Sequence, residues 1–324
     1  VCNSQYKKAF KYAVNNNVAL KGDFPSNVVF NSVDCWSFPF LFKRSTDQNE
    51  WRYQTVSIPE EPNIASKSIS PISNINNDFS SMFVFPSFDW SSIDQKTMKK
   101  EWWEMRINHF TELFHALKID PALGLYRNWE IDSSKSVTSC LGHFTPVDPI
   151  SKIDLDSRYL FDIERYTKPY IKRSFIEETI GKEKSQKVID TFFDIETDSN
   201  DEEKLSFKKE YDNEKKLFNS FKQSSENVID GIENDSLFEF LIRIIDDVLL
   251  IEDDEQPGKY FVRLNFFNQP LITLTKTKEK PILKPSLSFS ELPENERNAM
   301  NDLYDYYTYM RQNQQWLQLS KQKL

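Results

Sequence analysis

One short stretch concentrates groups able to do chemistry: Ala116-Leu117-Lys118-Ile119-Asp120-Pro121, continued by Ala122-Leu123-Gly124-Leu125-Tyr126-Arg127-Asn128-Trp129-Glu130-Ile131. A short apolar run ends in a carboxylate. A glycine, two aromatics, an arginine and a glutamate follow. In α/β proteins the carboxyl end of a strand is the usual place for catalytic groups. Two acids and two aromatics near such an end suit a neutral polyol such as a sugar. An ordinary strand with a charged cap has the same pattern.

The elements that must position these residues are legible on either side. Tyr6 to Asn17 reads as a helix leading into the apolar run Val18-Ala19-Leu20-Lys21-Gly22-Asp23, again with an acid near its end. Helix then strand is an α/β rhythm. Glu101 to Leu117 reads as an amphipathic helix, with Trp103, Arg106, Phe110, Leu113, Phe114 and Leu117 at three- and four-residue steps. It runs almost directly into Ile119-Asp120, which predicts a rigidly held carboxylate. Trp102 and Trp103 read as core and edge packing. Residues 45 to 82, polar and punctuated by Pro59, Pro62 and Pro71, read as a long surface loop.

Beyond Phe161 the texture changes to helical runs dense in Glu and Lys, where Glu202-Glu203-Lys204 and Glu214-Lys215-Lys216 read as solvated faces. Ser236 to Leu250 is strongly apolar, Tyr260 to Phe267 reads as a strand or hairpin arm, and Asn301 to Leu317 as a helix thick with tyrosine. No internal repeat is found.

Bulk properties narrow the function. The 324 residues carry 41 basic and 50 acidic groups, a net charge of −9, and no basic stripe with interleaved aromatics. Nucleic acid and anionic lipid are therefore unexpected partners. Aromatic residues make up 14% of the chain, a load foreign to disordered proteins. Six glycines leave no phosphate-cradling loop. Cys2, Cys35 and Cys140 lie far apart, as do His109, His115 and His143 by the measure of metal ligands. No disulfide framework, metal or cofactor is expected, and a reducing, cytoplasmic setting fits. No run has the length of a membrane span, and no cleavable leader opens the sequence.

Four motifs in order resemble the 4-alpha-glucanotransferases, also called amylomaltases or disproportionating enzymes. Lys21-Gly22-Asp23-Phe24-Pro25 resembles that family's Gly-Asp-Leu-Pro stretch. Asn31-Ser32-Val33-Asp34-Cys35-Trp36 resembles its Asp/Asn-Ser-x-Asp-x-Trp. Phe85-Pro86-Ser87-Phe88-Asp89-Trp90 resembles its Gly-x-Pro-x-Tyr-Asn-Trp, with Val84 in place of glycine. Leu117 to Ile131 resembles its Tyr-Arg-Ile-Asp-His-x-x-Gly-x-Phe-Arg-x-Trp-Glu-Ile. The match extends over essentially the whole chain and is nearest to the cytosolic plant-type form, which carries an insertion in its catalytic domain.

The resemblance implies an α/β fold, an incomplete (β/α)8 TIM barrel with a large, mostly helical insertion. Residues 1–155 would be the partial barrel, 156–290 the insertion, and 291–324 a return helix. It implies transfer of α-1,4-glucan segments with retention, which needs a carboxylate nucleophile and a second carboxyl group as acid/base. Asp120 matches the nucleophile. Asp34, Trp36, Lys118, Arg127, Trp129 and Glu130 fall on the substrate-binding side, with Glu130 alternatively a partner of Arg127. The implied ligand is an α-1,4-glucan or maltooligosaccharide.

The sequence departs from the family at demanding positions. Lys118 stands where the family has arginine, which keeps the charge and loses a planar fork. Pro121 replaces a histidine after the nucleophile; losing such a transition-state hydrogen bond costs roughly 2–4 kcal/mol. The family's downstream Glu-Asp-Leu-Gly segment with the general acid does not occur in this sequence. Two expectations follow: a fragment of a longer polypeptide, which Val1 favours, or a catalytically inactive homologue binding glucan or a protein partner, which Lys118 and Pro121 favour.

Overall fold

The computed structural model describes residues 2–44, 51, 53–56, 84–89, 98–120, 124, 128–135, 141–197, 203–223, 228–263, 268–270 and 283–323. Its first part opens with helix α1 (Cys2–Asn15) and strand β1 (Lys21–Pro25). Asn17 ends the helix in the left-handed region (φ 54°), and the Val18 N–H reaches back to the Ala13 carbonyl at 2.9 Å. Such a back-bonded cap satisfies a carbonyl that the helix leaves open. Short helix α2 (Val33–Ser37) follows, then β2 (Tyr53–Val56), β3 (Val84–Pro86), helix α3 (Met98–Thr111), β4 (Ala116–Asp120), β5 (Asn128–Asp132) and β6 (His143–Thr145).

β1 and β4 pair in parallel, in the register Lys21↔Ala116 to Pro25↔Asp120. Among the described residues each pairs with no other strand. α3 lies between them in sequence, so β1–α3–β4 contains the crossover a parallel pair requires. It packs on the face formed by Gly22 and Phe24. Phe110 meets Phe24 edge-on at 5.1 Å, and a Cβ on Gly22 would lie 2.6 Å from the Phe114 ring. The helix predicted to run to Leu117 stops at Thr111, because Ala116 and Leu117 are taken up by pairing with Lys21 and Gly22. Helical periodicity over-ran its end because the turn Glu112–His115 keeps Leu113 buried and Phe114 half-buried.

The remaining strands of this part form an antiparallel sheet in the order β3-β2-β5-β6. Residues 45–82 therefore do not form one surface loop. They contain β2, which pairs with β3 on one side and β5 on the other and buries Thr55. Its four residues are too few to show alternation against a polar background. The rest of that stretch lies almost wholly outside the described residues.

The second part is richer in sheet than its Glu/Lys texture predicts. It comprises β7 (Ile150–Ser151), α4 (Lys152–Asp156), α5 (Ile163–Thr167), α6 (Arg173–Ile180), α7 (Lys182–Phe192), the hairpin β8 (Phe193–Thr197) and β9 (Glu203–Phe207), α8 (Glu214–Gln223), α9 (Asn234–Ile245), β10 (Leu250–Glu252) and β11 (Lys259–Val262). β10, β11 and β7 form one antiparallel sheet. The hairpin β12 (Asn268–Pro270) with β13 (Leu283–Pro285) follows, then α10 (Leu287–Ser290), α11 (Glu294–Asp305), a π-helical stretch Tyr306–Arg311 and α12 (Gln312–Lys323).

Three apolar cores underlie these elements. One gathers Val28, Cys35, Leu41, Phe42, Phe88 and Trp102 beneath α2 and α3. A second is internal to residues 171–245, centred on Ile176, Val188, Phe192, Leu217, Phe238 and Leu241. The third joins Ile150, Leu155 and Leu160 to Leu249, Leu250 and Phe261, and to Met300, Leu303 and Tyr307. The C-terminal helices thus complete the core of the second part.

Candidate functional site

Asp120 is the last residue of β4. Side chains alternate along a strand, so Asp23, Pro25, Lys118 and Asp120 share one face of the parallel pair. In this register Asp23 opposes Lys118, and Pro25 opposes Asp120. The Asp120 side chain is 52% exposed, and its Oδ2 accepts a hydrogen bond from Lys118 Nζ at 2.6 Å. That bond, and the charges of Asp120 and Asp23, push the Lys118 ammonium pKa up. The nucleophile candidate is therefore an accessible carboxylate with one cation on it.

α2 follows the carboxyl end of β1. Ser32 caps it by accepting from the Cys35 N–H, and so sets the direction of Asp34. Asp34 Oδ1 accepts from Trp102 Nε1 at 2.9 Å. Trp36 projects into solvent, 82% exposed. Arg106 of α3 lies under the same corner. Its guanidinium sits 4.7 Å from the Trp102 ring and 5.0 Å from that of Phe24, and Nη2 donates to the Pro25 carbonyl at 3.2 Å. Pro25 thus links this corner to Asp120.

Trp129 and Glu130 lie inside the protein. β5 is flanked by β2 and β6, and four of its five residues are buried. Trp129 is 2% exposed and packs edge-on against Phe144 at 4.9 Å, close over Gly142. Glu130 has no exposed surface. Lys43 Nζ donates to its Oε1 at 2.7 Å, Ser87 donates to Oε2, and His143 Nε2 lies 3.4 Å from Oε1. Burial opposes the Glu130 charge, yet Lys43 and His143 hold its pKa down at about 2. Lys43 shows the reverse: desolvation lowers its pKa, and Glu130 with Glu255 more than restores it. Among the described residues Lys43 is the lysine or arginine paired with Glu130; Arg127, Pro121 and Tyr126 lie outside the described residues.

Asn128, at the start of β5, donates from Nδ2 to the Gly124 carbonyl at 2.8 Å. Neither Lys43, Ser87, Asn128 nor His143 stands out in the sequence as a site residue. Ser87 and Asn128 do lie inside quoted motifs, and that was the available signal. Among the described residues no group of three or more His, Cys, Asp and Glu side chains is placed to hold a metal ion, and no helix is long and apolar enough to cross a membrane.

An accessible carboxylate at the carboxyl end of a strand in a parallel pair sits where α/β enzymes usually carry catalytic groups. The chain belongs to the 4-alpha-glucanotransferase family, whose profile matches residues 1–324. Its architecture is an α/β fold with helical elements, related to the barrel-type fold of that family. Within the family it is similar to 4-alpha-glucanotransferase DPE2 of Oryza sativa subsp. japonica, 29% identical over 314 residues, 97% of this chain. It is also similar to the 4-alpha-glucanotransferase of Aquifex aeolicus, 26% identical over 127 residues, 39% of this chain. The chain spans 28% of the rice protein and 23% of the Aquifex protein. A solved amylomaltase from Streptococcus agalactiae, in complex with acarbose, aligns at 13% identity with a TM-score of 0.33, over 94% of this chain and 60% of that one.

Proposed function

We propose that this chain carries the nucleophile region of a cytoplasmic 4-alpha-glucanotransferase acting on α-1,4-glucans or maltooligosaccharides. The carrying observation is Asp120, exposed at the carboxyl end of a strand parallel to β1. In a retaining transfer its carboxylate attacks the anomeric carbon and the glycosidic bond to the leaving sugar breaks. The acceptor hydroxyl later displaces Asp120 from the glycosyl-enzyme, with net retention. Lys118 places its ammonium on the Asp120 carboxylate through the 2.6 Å hydrogen bond. Asp34 and Trp36 border the same corner, Trp36 as a stacking face and Asp34 as a hydroxyl acceptor. Trp129 and Glu130 support the site from inside, and Arg127 is kept as a substrate-side residue on the resemblance alone. Leaving-group departure needs a proton donor within hydrogen-bond reach of the scissile oxygen. On this reading that donor comes from outside these residues, and the isolated chain does not turn over.

A second reading, a glucan-binding homologue without catalysis, is favoured by the Lys118–Asp120 pair, in which a mobile ammonium replaces the family's arginine. Purified chain incubated with maltotriose, or with maltose and glycogen, followed by product chromatography, tests both. Longer and shorter oligosaccharides that vanish in Asp120→Asn would show that an acid is present within the chain. No products from the isolated chain, and transfer by a version extended through a Glu-Asp-Leu-Gly segment, is the expected outcome. An extended version that binds maltotriose but stays inactive until Lys118→Arg and Pro121→His are made would favour the second reading.

A further inference from the structure

Helix α4 stops in a way its sequence does not favour. The Tyr159 N–H bonds the Asp156 carbonyl at 3.1 Å, and the Leu160 N–H reaches five residues back to the Leu155 carbonyl, also at 3.1 Å. This is a Schellman-type stop, whose turning residue takes the left-handed region and is usually glycine. Here it is Tyr159, at φ 59°. That backbone is costly for a bulky side chain, and the ring recovers nothing by burial, since Tyr159 is 78% exposed. Phe161, two residues on, is 64% exposed, and the two rings meet edge-to-face, with centroids 6.2 Å apart and planes at 82°. Leu160 between them is fully buried, in the core that holds Leu155, Tyr166 and Met300. The rings therefore stand on a firmly anchored turn.

Their surroundings define what they could hold. Arg158 on one side is committed: its Nε donates to Asp302 at 2.8 Å, and its guanidinium lies 4.8 Å from the Tyr306 ring. On the other side stands the exposed Asp162, which caps α5 by accepting from the Arg165 N–H. A paired cation and an exposed carboxylate do not suit an anion. A protein partner or a second copy is too large. An aromatic side chain buries about 150–250 Å², so two of them, even with the exposed Ile153 of α4 added, fall short of the about 800 Å² that each partner gives to a stable interface. A sugar is of the right size and chemistry: its C–H face lies on an aromatic ring, and its hydroxyls donate to carboxylates. Two rings at 82° present faces at an angle, as successive glucose units do in the bent chain of an α-1,4-glucan and do not in a flat β-1,4-linked ribbon.

We propose that Tyr159 and Phe161 form a surface site for α-1,4-glucan at the end of α4, holding a long glucan on the chain that carries Asp120 and so raising its effective concentration there. The proposal rests on the glucan reading of this chain. The test is retardation of the full chain in native gels containing glycogen, for wild type, Tyr159→Gly and Phe161→Ala, with maltoheptaose and cellohexaose as competitors and a thermal midpoint for each protein. Each substitution should weaken glycogen binding about three- to tenfold, the worth of one aromatic contact. Maltoheptaose should release the chain at concentrations where cellohexaose does not. Glycine suits the backbone at position 159, so the midpoint of Tyr159→Gly should hold or rise. Unchanged glycogen binding in either variant overturns the paired site and leaves the glucan reading standing. A lowered midpoint in Tyr159→Gly also overturns it, and marks a ring that serves the fold. Equal release by cellohexaose overturns the α-1,4 assignment. A wild-type chain that glycogen does not retard overturns the glucan reading and the surface site together.

Discussion

Glu130 shows how a single side chain's role follows from where its charge is placed. A buried carboxylate is tolerable because Lys43, Ser87 and His143 surround it. Removing one partner of such a pair strands the other, at about 3–5 kcal/mol. Glu130→Gln should therefore lower stability by about that amount in urea titrations, and Glu130→Leu combined with Lys43→Met should recover much of it. The pH dependence has a definite sign. The folded pKa, about 2, lies below the ordinary 4.5. The contribution is therefore complete above about 4.5 and is lost as pH falls toward 2, roughly 3 kcal/mol in all. Urea midpoints between pH 6 and pH 2.5 should show that loss in wild type and a shallower acid limb in Glu130→Gln. Equal limbs in the two proteins would mean that Glu130 is not held ionised by its neighbours.

At the scale of elements, the crossover β1–α3–β4 depends on one close approach. Gly22 lets the Phe114 ring lie against the strand, where any Cβ would fall 2.6 Å from it. Gly22→Ala should cost about 1–3 kcal/mol through overpacking. Phe114→Ala should rescue part of that loss in the double variant, since it removes the clashing ring. A fully additive pair, measured by the same urea titrations, would show that the two residues do not meet. The crossover also explains why Asp120 is held firmly while remaining accessible. Its backbone is paired along the whole of β4, and its side chain lies on the face opposite α3.

On the scale of the molecule, the three cores divide the chain differently from its texture. Met300, Leu303 and Tyr307 pack with residues 150–166 and 249–262, whereas the core of residues 171–245 is complete without them. Leu303→Ala, at a fully buried position, should cost about 2–5 kcal/mol. Native-state hydrogen exchange should then speed up across Ile150–Leu160 and Leu249–Val262, with amides of Val188–Phe192 much less affected. A uniform loss of protection would show that the two cores open as one unit. The turn between β10 and β11, and β11 itself, also reach the first part of the chain. Glu255 lies 3.7 Å from Lys43, Asp254 is 2.5 Å from Lys135, and Phe261 stacks on His143 at 3.7 Å. The charge network behind β5 is therefore shared by both parts.

What the residues determined alone was local and chemical. The two helix-to-strand passages ending near Asp23 and Asp120 were legible because apolar periodicity and strand-end acids are properties of neighbours in the chain. Ordered motifs identified the family for the same reason, and Asp34 and Trp36 could be named from them. Tertiary structure decided which polar groups are inside. Trp129 read as ligand-facing and Glu130 as either that or an ion-pair partner; the packing of Phe144 on one and of Lys43, Ser87 and His143 on the other puts both inside. Lys43, Ser87 and His143 come from three separate segments, brought together by sheet order, which no local pattern encodes. Burial and long-range pairing depend on the whole packed chain, and that is why the roles of these side chains emerged only from the fold.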